Sequence, residues 1–101
     1  MFGFGKKKID DRTAGMIGIE LGMFMRWMEE NRHHMLLPPE AKDIARRILD
    51  RENLKYTEND LFMIVASAMT HDMKRIDEFR KKTEFDKTID GFCRSIGINK
   101  P

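Results

Sequence analysis

Residues 14–28 read AGMIGIELGMFMRWM, a run that is apolar around nearly the whole circumference of a helix yet carries one carboxylate, Glu20, at its middle. A chain with such a run has three ways to use it: as a membrane span, as a buried central helix, or as an apolar surface kept for a partner. Spanning a bilayer takes about 20 predominantly apolar residues. Here Glu20 interrupts the run, Arg26 closes it, and Asp10, Asp11 and Arg12 precede it. No transmembrane span is expected, so the run has to be covered by the rest of the chain or by another molecule.

Punctuation and periodicity divide the remainder into helices. The first helix is expected over about 13–32, ended by Leu37-Pro38-Pro39. The second is expected over about 39–53, since proline is tolerated in a first turn. Its Ala41, Ile44, Ala45, Ile48 and Leu49 repeat at the spacing of one apolar face. Asp43 with Arg47 and Arg46 with Asp50 are four apart on its outer side. Thr57 is the expected cap of a third helix over 58–82, with Glu58 and Asp60 in its first turn. Its inner stripe is predicted to run through Leu61, Phe62, Val65, Met69, Met73, Ile76 and Phe79. A fourth helix over 84–97 carries Phe85, Ile89, Phe92, Cys93 and Ile96 on one side and stops at Gly97. No segment alternates with period two for long enough to read as a strand. The expected fold is an all-α bundle of four helices in one domain, 13–101, behind a flexible N-terminal tail, 1–12.

On a helical wheel, Gly15, Gly18 and Gly22 gather on one narrow side of the first helix, with Ala14 and Met25 beside them. Each interior glycine costs about 1 kcal/mol relative to alanine, so three together call for a close neighbour: the third or fourth helix, or the first helix of a second copy. Glu20 falls within the apolar arc, between Phe24 and Trp27. Asp72 falls on the Leu61, Val65 and Ile76 side of the third helix. A carboxylate buried without a partner is costly enough to find a cation or to stay protonated. Glu20 and Asp72 are therefore the buried-polar candidates, with an arginine at the edge of the core the expected partner of Glu20.

Hydrophobic residues at 41% and charged residues at 36% suit a globular helical protein and argue against disorder. A net charge of +2 does not by itself imply nucleic acid. The single cysteine, Cys93, excludes an intramolecular disulfide and suits a reducing compartment, so a cytoplasmic, bacterial protein is expected. The opening MFGFGKKK lacks the order and cleavage site of a secretory signal, and Phe2 excludes N-myristoylation. Phe2, Phe4 and Lys6 to Lys8 read as a solubilising tail, or as a weak contact to a membrane surface or an anion.

Chemistry is sparse. Asp86, Thr88, Asp90 and Gly91 match the start of a calcium loop, but its twelfth position falls on Gly97, where a bidentate glutamate is needed. Glu30 and His33 form a single Glu-x-x-His, where a di-iron bundle needs two. Cys93 has no histidine near it in sequence, and no glycine-rich phosphate loop occurs. No catalytic residue, cofactor or metal is assigned, and the chain is read as a non-enzyme. A helix-turn-helix across 53–56 is disfavoured because Glu58 and Asp60 would open its recognition helix.

Nine methionines in 101 residues concentrate on the first and third helices, and methionine suits surfaces that accommodate different partners. Met69 and Met73 are assigned to a plastic core. The expected function is that of a small interaction module, an adaptor, regulator or inhibitor, acting on another protein or a second copy of itself. Its surface is assigned to Gly18, Gly22, Met25, Met28, Met63 and Ile64. The alternative is a nucleic-acid-associated protein using Lys74, Arg75, Arg80, Lys81 and Lys82.

Overall fold

The computed structural model describes residues 7–70 and 85–99. Within them are four helices, α1 (Asp11–Arg32), α2 (Pro38–Arg51), α3 (Glu58–Thr70) and α4 (Phe85–Ser95), and two short strands, β1 (Lys7–Lys8) and β2 (Leu54–Lys55). The fold is all-α. Helix α1 is the central element, touching α2, α3 and α4. No helix among the described residues is long and apolar enough to cross a membrane.

Helix α1 starts two residues earlier than its periodicity suggests, because Asp10 rather than Thr13 begins it. The Asp10 carboxylate accepts the Thr13 backbone N–H at 2.7 Å, and that bond holds its pKa below the ordinary value. Just upstream, β1 pairs in parallel with β2, Lys7 opposite Leu54 and Lys8 opposite Lys55. The Ile9 N–H then donates to the Lys55 carbonyl, and the Ile9 side chain is buried. Residues 7–12 therefore belong to the folded unit and not to a flexible tail. One isoleucine among lysines and aspartates gives no readable period, which is why the clip escaped the sequence pattern. Asp10→Ala is expected to lower the midpoint of a urea titration, because the first turn loses its cap.

The far end of α1 closes on His33, which adopts the left-handed conformation at φ 51°. Its backbone N–H and that of His34 both return to the Met28 carbonyl. Glycine takes this position without the Cβ penalty. His33→Gly is expected to raise stability by about 1 kcal/mol in a thermal melt.

Helix α2 begins at Pro38, and the Glu40 carboxylate accepts the Leu37 N–H at 3.1 Å. All five residues of its apolar face are buried. Asp43 pairs with Arg47 at 3.0 Å, while Arg46 turns to Glu58 on α3 and Asp50 accepts the Tyr56 hydroxyl at 3.4 Å. Thr57 and Asp60 cap α3 reciprocally, at 3.1 and 2.8 Å. Helix α4 buries Ile89, Phe92 and Cys93, and Ile96 just beyond it is buried as well. It ends on Gly97, at φ 76°, with the Ile98 N–H bonded to the Cys93 carbonyl. The calcium-loop match at Asp86, Thr88, Asp90 and Gly91 thus lies within a helix.

The packing of α3 departs from expectation. Its buried residues are Leu61, Ile64, Val65 and Ala68, whereas Phe62 is 65% exposed and Met69 48%. Helix α3 is apolar on most sides, so its period does not fix which arc turns inward. The close approach at Gly18 decides it. A Cβ on Gly18 would stand 3.1 Å from Ser67 Oγ and 3.8 Å from the Ile64 carbonyl. Only an arc containing the small Ser67 and Ala68 lets the backbones come that near. The expected continuation of this helix to 82, with Met73, Ile76 and Phe79, lies outside the described residues.

Candidate functional site

Two features stand out once the core is accounted for, and they lie on opposite flanks of α1. The first is built around Glu20. From α1 its carboxylate reaches Arg51 in the last turn of α2, with Arg51 Nη2 2.7 Å from Oε1. Oε1 is sealed from solvent and lacks an aligned hydrogen bond, so the contact is an ion pair. Arg51 also donates to Ser95 Oγ at 3.0 Å and to Glu52 Oε1 at 3.3 Å. Its guanidinium carbon lies 5.9 Å from the centroid of the Phe92 ring. One turn earlier Arg47 donates to the Gly97 carbonyl at 3.0 Å. Two arginines four apart on α2 thus hold the C-terminal end of α4, where cations are favoured.

Burial pushes the Glu20 carboxyl above the ordinary glutamate range, and the Glu52 charge adds to this. The close Arg51 guanidinium opposes both but does not prevail. Around the pair lies a cleft of about 560 Å³, lined by Thr13, Met16, Ile17, Met23, Thr88 and Phe92 besides the charged groups. Among the described residues no cysteine or histidine lines it, and no group of three potential ligands could hold a metal. Glu30 pairs with Arg26 at 2.9 Å and His34 with Glu40 at 3.2 Å.

The second feature is an apolar face. Phe62, Val65 and Met69 repeat at i, i+3 and i+7 along one side of α3. The α1–α2 connection runs beside them. Pro38, Pro39 and Lys42 share a groove with Phe62 and Val65, while Met35, Leu36 and Met25 share the next with Ala68 and Met69. Met35 is 68% exposed and Leu37 60%.

The residues assigned to the interaction surface by sequence are divided by this arrangement. Gly18, Gly22, Met28 and Ile64 are buried, so none of the four offers a surface, and at Gly18 it is α3 that closes over α1. Met25 is half-buried against the core and Met63 is exposed. Met69, assigned to the core, is on the surface. Asp72 and the basic set Lys74, Arg75, Arg80, Lys81 and Lys82 lie outside the described residues. Phe62, Met35 and Leu37 were missed as surface residues. The signal for Met35 and Leu37 was the segment MLLPP, strongly apolar for a connection between helices. Glu20 found the arginine expected of it, but which arginine depended on where α2 ends.

In comparisons with protein-family models, curated proteins and solved structures, nothing matches this chain.

Proposed function

We propose that this protein is a small helical interaction module that binds a partner protein through the face formed by Phe62, Met69, Met35, Leu37 and Pro38. The carrying observation is that Phe62, Met35 and Leu37 are each at least 60% open, with Phe62 in a groove beside Pro38 and Met35 in a groove beside Met69. Contiguous exposed side chains of this size mark contact sites. The partner element is an amphipathic helix. Pro38 and Pro39 have no backbone N–H to donate, so an added strand would find no ladder along that rim, whereas a helix arrives with its own hydrogen bonds made.

Phe62→Glu is expected to leave the unfolding free energy within about 0.5 kcal/mol of the parent while abolishing retention of the partner. Sedimentation equilibrium distinguishes the two kinds of partner. A chain that stays monomeric points to a different protein, and a dimer lost on Phe62→Glu makes a second copy the partner. An isolated chain that binds nothing in a Phe62-dependent way contradicts the proposal.

A further inference from the structure

The methionines of this chain fall into two sets. Met23 and Met28 are 2% and 8% exposed, whereas Met35 is 68% open, and Met16, Met63 and Met69 stand open as well. Two of the open set belong to the apolar face and come from different elements, Met35 from the α1–α2 connection and Met69 from the last turn of α3. Together with the half-buried Met25 of α1 they line one groove. Met16 lines the Glu20 cleft instead, and Met63 lies about 120° around α3 from Met69. A thioether is an apolar group that a peroxide converts reversibly into a polar one. The sulfur lone pair attacks one peroxide oxygen, an S–O bond forms and the O–O bond breaks. The transferred oxygen gives up its proton to the departing hydroxide, which leaves as water, so sulfur loses the two electrons that the peroxide gains. The polar, chiral sulfoxide that results disrupts a methionine-rich contact, because its oxygen is desolvated against an apolar partner without a hydrogen bond. The fold is not built on these two side chains, since both are open to water already.

We propose that Met35 and Met69 are a reversible oxidation site on the partner-binding face: peroxide converts both to sulfoxides and releases the partner with the fold intact, and reduction restores binding. This rests on the Phe62 face being the contact site.

The test treats the full chain with hydrogen peroxide and maps the added oxygen by peptide mass spectrometry. Met35 and Met69 are expected to gain one oxygen each while Met23 and Met28 remain thioethers, and the melting curve is expected to stay where it was. Two retentions are then measured, on phenyl-agarose and of the protein that co-purifies with the parent but not with Phe62→Glu. Both are expected to fall to the Phe62→Glu level after oxidation. Both should return after treatment with methionine sulfoxide reductases, one for each epimer. Leucine keeps the volume of methionine without an oxidisable sulfur. A chain carrying Met35→Leu and Met69→Leu is therefore expected to keep both retentions through the peroxide step, whereas Met16→Leu with Met63→Leu should give no protection. Either retention surviving oxidation of both methionines, or falling equally in the Met35→Leu, Met69→Leu chain, overturns the oxidation site and leaves the Phe62 face standing. Co-purification that is indifferent to Phe62→Glu removes the face, and the oxidation site with it.

Discussion

Gly18→Leu is expected to lower the unfolding free energy by about 3 kcal/mol, the upper end of the usual cost of overpacking. The reason is geometric. At Gly18 even a first carbon would stand 3.1 Å from Ser67 Oγ and 3.4 Å from Ser67 Cβ, and behind them lies the α3 backbone. A branched side chain cannot be fitted without driving α1 and α3 apart, and α3 covers much of the central helix. The matched control is Gly15→Ala. Nothing lies within 4 Å of a Cβ there, so only the helix propensity gain remains, and stability should rise by about 1 kcal/mol. The two substitutions sit three residues apart on one helix and are expected to act with opposite sign. Urea titrations of both variants beside the parent measure this directly, and equal effects would refute the account of the α1–α3 contact.

Arg51→Ala is expected to cost about 2–3 kcal/mol, somewhat less than for breaking a fully buried pair, since Glu20 and Arg51 retain 29% and 22% of their side-chain exposure. The substitution strands Glu20 Oε1 away from water, removes a hydrogen bond to Ser95 and uncovers the Phe92 ring. Glu20→Gln should be far milder, within about 1 kcal/mol, because the carboxylate form is the one that burial penalises. The pH dependence has a definite sign. The folded-state pKa of Glu20 is raised above its ordinary value, so the folded protein holds that proton more tightly than the unfolded chain. The contribution is fully present below the unfolded-state value and is lost as pH rises through the folded-state pKa. The parent should therefore gain on Glu20→Gln as neutral solution is acidified into the range just above ordinary glutamate values. Asp10, Glu40 and Glu58 act oppositely, because backbone or side-chain partners lower their pKa values. Their contributions are lost as pH falls through the lowered values, and they cancel between the parent and Glu20→Gln.

The chain makes parts of this fold readable and leaves others hidden for identifiable reasons. Helix α2 is legible because its apolar residues fill one arc and charges fill the rest, so only one orientation buries the first and exposes the second. Helix α4 is legible by the same rule, and Gly97 marks its end. Helix α3 carries Leu61, Phe62, Met63, Ile64, Val65, Ala66 and Ala68 nearly in succession, and no rotation about its axis is singled out by hydrophobicity. Its orientation is set by a small-residue contact with Gly18, a pairing of positions 49 residues apart in sequence. That is why Phe62 and Met69 were expected inside and are found outside, with the candidate surface moving from α1 to α3. Of the glycines, Gly18 was informative: it announced a close neighbour, and α3 is that neighbour, whereas Gly15 stands in open space. Glu20 announced a cation in the same way, while the identity of Arg51 depended on the length of α2 and its approach to α4.

The central claim is that the Phe62 face is a protein contact site, and the most direct test compares capture by two tagged forms of the full chain in its native cell. The parent and Phe62→Glu are purified in parallel and their co-purifying proteins quantified by mass spectrometry. The account predicts one protein, or the untagged chain itself, recovered near stoichiometrically with the parent and reduced to background with Phe62→Glu, while both forms show the same melting curve. Recovery of the same proteins in the same amounts with both forms would contradict it.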